Sequence, residues 1–229
     1  MRIKLIIIIT VVLAVVAIAI VIGFSYLQSL ENRTKANIYE SPTSLEIVNL
    51  TDSSATVIWK TSDATTGKVN LYGADGKATQ VIDDRDTSAS ANTNKVKVHF
   101  ATIKNLVTST KYTFTILDND AEYFSNTQRW DFTTLKTPSS PLVPKPIFGQ
   151  ANVDSGSSSS ILIKLTAKVK DGQSLVLASL STENGTYSFD LSSLRSQSGD
   201  ILSLTTSDQI IVNMSNENNK QAQIIANIK

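Results

Sequence analysis

The sequence predicts an all-β ectodomain, made of two tandem antiparallel β-sandwiches behind one N-terminal transmembrane α-helix. Three observations support this prediction. Residues 5–24 form an uncharged apolar run, apolar and polar residues alternate through much of residues 42–229, and four of the five prolines lie in residues 136–146. A continuous helix satisfies its own backbone hydrogen bonds in lipid, whereas alternation of period two is typical of strands with one buried face.

The apolar run is the first element of the chain. Fifteen of its twenty residues are Leu, Ile, Val or Phe, and a helix of that length spans about 30 Å, the thickness of a bilayer's hydrocarbon core. Arg2 and Lys4 precede it, so the positive-inside rule places residues 1–4 in the cytoplasm and residues 25–229 outside. A signal peptide cleaved after Ala19 is the alternative, but the run is longer than the usual h-region of about 7–15 residues. We therefore favour an uncleaved, single-pass anchor that contacts membrane lipid through residues 5–24.

Residues 25–41 are mixed and polar, and we predict that they continue the helix as a stalk. Without Arg2 and Lys4, the rest of the chain carries 19 basic and 20 acidic residues. A nearly neutral ectodomain gives no electrostatic case for binding nucleic acid. The chain has no cysteine, which excludes a disulfide framework and a thiolate metal site.

Residues 42–135 are predicted to form the first sandwich, because about seven short alternating segments are separated there by turn residues. One of these strands contains Trp59 on its apolar face. In the strand at residues 95–101, we predict that Val98 and Phe100 face the core and that His99 faces solvent.

Two motifs of this region resemble the fibronectin type III family, which has an immunoglobulin-like sandwich. Residues 55–60, A-T-V-I-W-K, resemble its B strand with the core Trp59, and residues 106–112, L-V-T-S-T-K-Y, are similar to its L-x-P-x-T-x-Y stretch. Thr108 stands where that family usually has proline. The resemblance implies that Tyr112 is the tyrosine-corner residue, whose hydroxyl bonds to upstream backbone. Residues 59–73 also resemble the N-terminal domain of purple acid phosphatases, whose chemistry lies in a separate metal-rich domain.

Residues 136–146, K-T-P-S-S-P-L-V-P-K-P, are predicted to be a proline-rich linker. Proline has a fixed φ and no N–H donor, so such a segment is a semi-rigid spacer that pairs poorly with strands. We accordingly expect few contacts between the two sandwiches. We also expect the linker to hold them apart, so that each unfolds independently.

Residues 147–229 are predicted to form the second sandwich, with seven candidate strands that include one at residues 200–205. Residues 147–150, I-F-G-Q, and 182–191, T-E-N-G-T-Y-S-F-D-L, resemble the carboxypeptidase regulatory-like (transthyretin-like) module. In that resemblance a flexible serine-rich loop at residues 154–160 replaces the usual link to the second strand.

The supply of catalytic and metal-ligating residues is small. His99 is the only histidine, so we predict no catalytic, cofactor-binding or metal site, and no enzyme. Two acidic groups remain, at positions 118, 120 and 122 and at positions 83, 84 and 86 around Arg85. Weak calcium binding is one interpretation, and solvated loop acids are the favoured one. Asn49 begins one of four N-glycosylation sequons, which matter only in a eukaryotic secretory pathway.

These observations and resemblances lead to a functional hypothesis. We expect a membrane-anchored, extracytoplasmic structural or adhesive binding protein, whose partner is another envelope protein or a polysaccharide. One alternative is a non-catalytic accessory subunit of an envelope phosphatase or peptidase, because the two resembled modules accompany such enzymes. Another is a filament subunit that packs through the helix at residues 5–24.

Overall fold

A computed structural model describes residues 42–74, 76–86, 94–118, 121–125, 128–151, 161–170 and 172–228. The predicted anchor at 5–24, the stalk at 25–41 and the serine-rich loop at 154–160 lie outside the described residues. Within the described ranges, no helix is long and apolar enough to cross a membrane. The anchor therefore stays a prediction. Ser41–Lys229 forms one compact unit.

The first sandwich consists of two antiparallel sheets. Its strands are β1 (Ser44–Val48), β2 (Ala55–Thr65), β3 (Gly67–Tyr72), β4 (Ala78–Ile82), β5 (Val96–Ile103), β6 (Lys111–Asp118), β7 (Ala121–Tyr123) and β8 (Trp130–Thr133). One sheet has the order β1-β2-β5, and the other has the order β4-β3-β6-β7 with β8 also paired to β6. The all-β prediction is confirmed for this half of the chain.

The core of the first sandwich lies between these sheets. Ala55, Val57 and Trp59 of β2 pack there against Val69 of β3 and Phe114 of β6, and all five are fully buried. This alternation along β2 is the one that the sequence predicted.

The predicted tyrosine corner is confirmed. The Tyr112 hydroxyl accepts a hydrogen bond of 2.9 Å from the backbone N–H of Val107, five residues upstream. This bond fixes the loop that leads into β6.

The second sandwich pairs a large sheet with a small one. Its strands are β9 (Pro146–Gln150), β10 (Leu162–Val169), β11 (Gly172–Gln173), β12 (Leu177–Leu180), β13 (Thr186–Asp190), β14 (Gln209–Ser215) and β15 (Gln221–Asn227). The five-stranded sheet runs β11-β10-β14-β15, with β12 also on β10, while β9 and β13 form a two-stranded sheet. Ile163 and Leu165 of β10, Val212 of β14 and Phe189 of β13 contribute to the core between them.

The strand predicted at residues 200–205 is wrong. Only an isolated bridge joins Ile201 to Arg195 there, after a short 3₁₀-helix at Leu191–Ser193. The Leu202 N–H donates to the Leu194 carbonyl at 3.2 Å, so this segment bonds to a neighbouring loop rather than to a sheet strand. Its alternating leucines, Leu202 and Leu204, still pack on the core, which explains why the pattern resembles a strand.

The expectation of two separated sandwiches is also wrong. The linker does lack strand structure up to Pro146 and is largely exposed, but the chain beyond it folds back onto the first sandwich. One apolar cluster, which we call the seam, contains buried residues from both sandwiches: Val48, Ile58, Val98, Phe100, Leu162 and Ala178. The prolines prevent the linker from pairing with a strand, but they do not prevent the apolar faces of the two sandwiches from packing against each other.

Candidate functional site

The seam forms because the β1-β2-β5 sheet is apolar on both faces. Val57 and Trp59 point into the core of the first sandwich, whereas Ile58, between them, points out. Ile58 pairs in register with Phe100 of β5, and both belong to the seam. Burying such side chains stabilises the assembly by roughly 1.5–3 kcal/mol each relative to full exposure.

Asn49 fastens one edge of the seam with hydrogen bonds. Its Nδ2 donates to the Ala178 carbonyl at 2.9 Å, and its Oδ1 accepts from the Ala178 N–H at 2.8 Å. The Asn49 N–H donates to the Val176 carbonyl at 3.0 Å, and its φ of 50° sets this orientation. Asparagine tolerates this left-handed conformation better than most residues. The side chain of this sequon is therefore committed to joining the two sandwiches.

A cleft of about 540 Å³ opens beside the seam. Residues of β1 and β2 line one side, and residues of β10, β14 and β15 line the other. Ile58 and Leu162, both members of the seam, contribute its apolar part. This cleft is our candidate functional site, because neither sandwich would form it alone: its two walls come from different sandwiches.

Charged and amide groups line the rest of the cleft. Lys164 of β10 donates to both carboxylate oxygens of Glu46 on β1, at 2.8 and 3.1 Å, and so bridges the two sides. Lys60 donates to the Asn219 side chain at 3.2 Å. The Gln223 amide donates to Asn213 at 2.8 Å. Amides and ammonium groups of this kind suit a ligand rich in hydroxyl or amide groups, which can exchange hydrogen bonds with them.

The prediction that His99 faces solvent is wrong. His99 is fully buried in the first sandwich, where its ring stacks on Trp59 with centroids 4.6 Å apart. Its Nε2 lies 3.4 Å from the Thr61 hydroxyl and 3.2 Å from the Thr65 hydroxyl. Burial lowers the pKa of His99 to about 4, although the charge of Asp83 opposes this shift. His99 is therefore a neutral core residue over most of the pH range.

The error lay in the phase of β5. Val98 and Phe100 were predicted to point into the sandwich core, but they lie in the seam, and His99 takes the core-facing side. A Cβ at Gly67 would lie 2.5 Å from Trp59 and 2.7 Å from His99, so only glycine lets β3 pass this close to the stacked rings.

The acidic group around Arg85 is structural rather than solvated. Asp83 is buried and accepts bonds of 2.7 and 2.8 Å from the Arg85 guanidinium and of 2.9 Å from the Phe100 N–H. Burial alone would raise the pKa of Asp83, but the bonds and charge of Arg85 and the Phe100 N–H together hold it below its ordinary value. Solvated acids were therefore the wrong interpretation at position 83.

The other two acids of this group also have partners. Asp84 is exposed, and it accepts bonds of 2.8 Å from the Thr102 N–H and of 2.6 Å from the Thr102 hydroxyl. Asp86 accepts a bond of 2.8 Å from the Asn94 side chain. These contacts attach the segment after β4 to β5 and to the residues that precede it.

The second acidic group does not converge on one point. Asp118 is buried, and burial raises its pKa, although a hydrogen bond from Thr65 opposes this. Glu122 accepts bonds from the Thr115 hydroxyl at 2.6 Å and the Tyr72 hydroxyl at 3.1 Å. Glu122 pairs with Leu117, so its side chain points to the opposite face of the sheet from that of Asp118. Asp120 lies outside the described residues.

Sequence reasoning predicted none of the residues that form the cleft. The available signal was the run A-T-V-I-W of β2, which is apolar apart from Thr56 and in which all five residues are buried, together with Val98 and Phe100 on β5. Among the described ranges of the chain, no group of three or more acidic or histidine side chains is arranged to hold a metal ion.

Comparisons with known proteins agree with the geometry of the first sandwich. Residues 42–134 match the family model of the purple acid phosphatase N-terminal domain. No curated protein matches the chain. One matching solved structure is a two fibronectin type III domain segment from chicken tenascin, at 12% identity and a TM-score of 0.26, covering 82% of this chain and 100% of that one. That TM-score is too low to relate the two architectures. The family match and the tyrosine corner together identify the first sandwich as a fibronectin type III-like domain.

Proposed function

We propose that this protein is a single-pass, membrane-anchored structural and adhesive binding protein, which displays both sandwiches outside the membrane of a cell envelope. The observation that carries this proposal is the seam, because it makes the two sandwiches one compact unit. A binding module needs fixed surfaces, and a shared apolar interface fixes them better than a linker does. The apolar run at residues 5–24 supports the tether.

We infer that the partner is another envelope protein or a polysaccharide, and that it binds in the cleft. The cleft combines an apolar part with amide and ammonium groups that are accessible to a polar chain. Asn213 and Gln223 offer amide groups, while Lys60 offers a cation that is already oriented by Asn219. No nucleic acid is expected, since the part of the chain beyond the anchor is nearly neutral.

We also propose that the chain is not an enzyme. Its one histidine is buried between Trp59 and two threonine hydroxyls, where no substrate can reach it. The ion pair that the described residues place in the cleft, Glu46 with Lys164, bridges the two sandwiches.

A second candidate function is that of a non-catalytic accessory subunit of an envelope phosphatase or peptidase. The specific observation in its favour is the match of residues 42–134 to a domain named for purple acid phosphatases. The carboxypeptidase regulatory-like assignment of residues 147–229 is part of the same proposal. A filament subunit that packs through residues 5–24 is the remaining alternative, and it predicts a polymer that survives removal of lipid.

Protease treatment of intact cells tests the topology. The expected result is loss of both sandwiches and a membrane-bound stub that contains residues 5–24. Complete protection, or a mature N-terminus near Ile20, would contradict the anchored, outward-facing arrangement.

Retention on isolated envelope material tests the cleft. Lys60→Ala and Asn213→Ala should each lower the fraction of full-length protein retained by about fivefold, because each removes roughly 1 kcal/mol of hydrogen bonding to the partner. Lys111→Ala is the matched control, since Lys111 is exposed on β6 and pairs with Asp131, away from the cleft. Equal losses for all three variants would place binding outside the cleft.

A further inference from the structure

The five-stranded sheet ends in a strand, β15, whose outer edge is not paired with any strand of the described ranges. β15 pairs with β14 over seven consecutive residue pairs, without a bulge, and is the last strand on that side of the sheet. All seven residues of β15 are exposed, including Ile224 at 47% and Ile225 at 57%. These isoleucines point to opposite faces, so each face of the strand exposes one of them.

β15 also lacks the features that normally prevent edge strands from pairing. Natural edges are protected by charged side chains, proline, bulges or short length. The sequence of β15, Q-A-Q-I-I-A-N, contains no charge and no proline. Its straight register presents a full row of backbone groups to a partner.

The hydrogen bonds to β14 determine which backbone groups face outward. The Ile228 N–H donates to the Asp208 carbonyl at 3.2 Å, and the Asn216 N–H donates to the Lys220 carbonyl at 3.1 Å. Antiparallel pairs alternate between bonded and non-bonded residues, so the even-numbered residues between 220 and 228 bond to β14. The four outward-facing residues are therefore Gln221, Gln223, Ile225 and Asn227.

The strand is nearly self-complementary when it is reversed about Ile224. In that arrangement Gln221 lies opposite Asn227, Ala222 lies opposite Ala226, and Gln223 lies opposite Ile225. Amide faces amide and alanine faces alanine, and no like charges meet. We propose that β15 pairs with β15 of a second copy of this chain, antiparallel, with the two-fold axis at Ile224.

This pairing satisfies the exposed backbone. The outward-facing residues would form four bonded pairs, two of Gln221 with Asn227 and two of Gln223 with Ile225, which gives about eight interchain hydrogen bonds. The two copies of Ile224 meet at the axis as a non-bonded pair, whose Cα atoms lie about 4.5 Å apart and whose side chains touch. The two five-stranded sheets become one continuous sheet, and the contact closes on itself instead of growing into a filament.

Cysteine cross-linking of the full chain tests the pairing and its register. The chain contains no cysteine, so each introduced thiol is unique. Ile224→Cys should give a covalent dimer under mild oxidation, because the Cα separation at the axis falls in the range that a disulfide spans. In Ala222→Cys or Ala226→Cys the two thiols of a dimer lie about 14 Å apart along the strands, so neither should cross-link alone. A mixture of these two variants should cross-link, because Ala222 of one copy lies opposite Ala226 of the other.

A charge exchange at the axis provides an independent measurement. Chains that carry Ile224→Lys should not co-purify with differently tagged copies of themselves, and the same holds for Ile224→Glu. The Lys and Glu variants should co-purify with each other, because opposite charges then meet at the axis. Phe148→Lys is the control for loss of an exposed apolar residue, since Phe148 is 79% exposed on β9, and it should leave the dimer intact.

Three results would overturn the proposal. The first is the absence of a covalent dimer in Ile224→Cys, and the second is a yield of covalent dimer from Ala222→Cys alone that equals the yield from Ile224→Cys. The third is capture of a different extended chain on β15 while each copy stays monomeric. Far-ultraviolet circular dichroism confirms that each variant is folded, because the strands of both sandwiches contribute to that signal.

Discussion

The strands β2 and β15 each contain a pair of adjacent apolar residues, but the surroundings of the two pairs are opposite. In β2, adjacent apolar residues such as Val57 and Ile58 point to opposite faces, and both are buried. In β15, the adjacent Ile224 and Ile225 also point to opposite faces, and both are exposed. A strand that is apolar on both faces therefore needs two covers, and among the described residues β2 has both whereas β15 leaves both isoleucines exposed. The comparison motivates our proposal that a second copy covers the β15 edge.

The largest expected effect comes from removing a seam side chain. Phe100→Ala should lower the free energy of unfolding by about 3–5 kcal/mol, because Phe100 is 5% exposed and its loss leaves a cavity between the sandwiches. Urea denaturation of the full chain measures this change. Phe148→Ala is the matched control, and it should change stability by no more than about 0.5 kcal/mol because Phe148 is 79% exposed. A loss below about 1 kcal/mol for Phe100→Ala would show that the seam does not form in solution.

The same titration shows whether the sandwiches unfold together. Tryptophan fluorescence reports on the first sandwich, which contains both Trp59 and Trp130, and far-ultraviolet circular dichroism reports on both sandwiches. A shared interface couples the two transitions, so both signals should change at one urea concentration in the unmodified chain. In Phe100→Ala the midpoints should separate, because the weakened seam no longer couples the halves. Separate midpoints in the unmodified chain would restore the original expectation of independent domains.

A second expected effect is a loss of stability in mild acid. The pKa of His99 is about 4 in the folded protein, below its ordinary value of 6.5, so the unfolded state binds the proton more readily. The stabilising effect of keeping His99 neutral is fully present above pH 6.5 and is lost as the pH falls towards 4. A shift of this size corresponds to about 3 kcal/mol. Urea midpoints measured across this pH range test the prediction, and His99→Gln should flatten the dependence.

Much of the first sandwich could be predicted from the sequence because its signals are local. The apolar face of β2 and the Tyr112 corner each depend on residues a few positions apart, and both are confirmed. The seam could not be predicted in this way. Alternation identifies two faces of a strand, but it does not say which face meets the core when both carry apolar residues. In β5 this led to the wrong position for His99.

The cleft was missed for a related reason. Its groups come from strands more than 100 residues apart, as in the contact between Glu46 and Lys164. Asn49 looked like a glycosylation sequon, and only the folded chain shows that its side chain joins the backbone of Ala178. The linker prolines predict an extended connection, but composition says nothing about whether the modules on either side touch.

A smaller effect should follow from the tyrosine corner. Tyr112→Phe removes the acceptor of the Val107 N–H and should cost about 1–3 kcal/mol, because that donor then lacks a partner. Thermal unfolding followed by circular dichroism measures the loss. Tyr72→Phe is a matched control, since the Tyr72 hydroxyl bonds to the exposed Glu122 side chain, and it should change stability by about 0.5 kcal/mol or less. Similar losses of stability for both variants would show that the hydrogen bond of the tyrosine corner has no special stabilising role.

The smallest expected effect is the coupling between Glu46 and Lys164 across the cleft. The side chains are 40% and 31% exposed, so a double-mutant cycle with Glu46→Gln and Lys164→Met should give an interaction energy of about 0.2–1 kcal/mol. Lys111 and Asp131 are the matched control, because their separation is also 2.8 Å but their side chains are 64% and 51% exposed within one sheet. The cleft pair should show the stronger coupling and the weaker dependence on salt, since partial burial reduces screening. Equal coupling energies and equal salt dependence would show that the cleft is as open to water as the flat surface around Lys111, and a partner would then gain nothing by binding there.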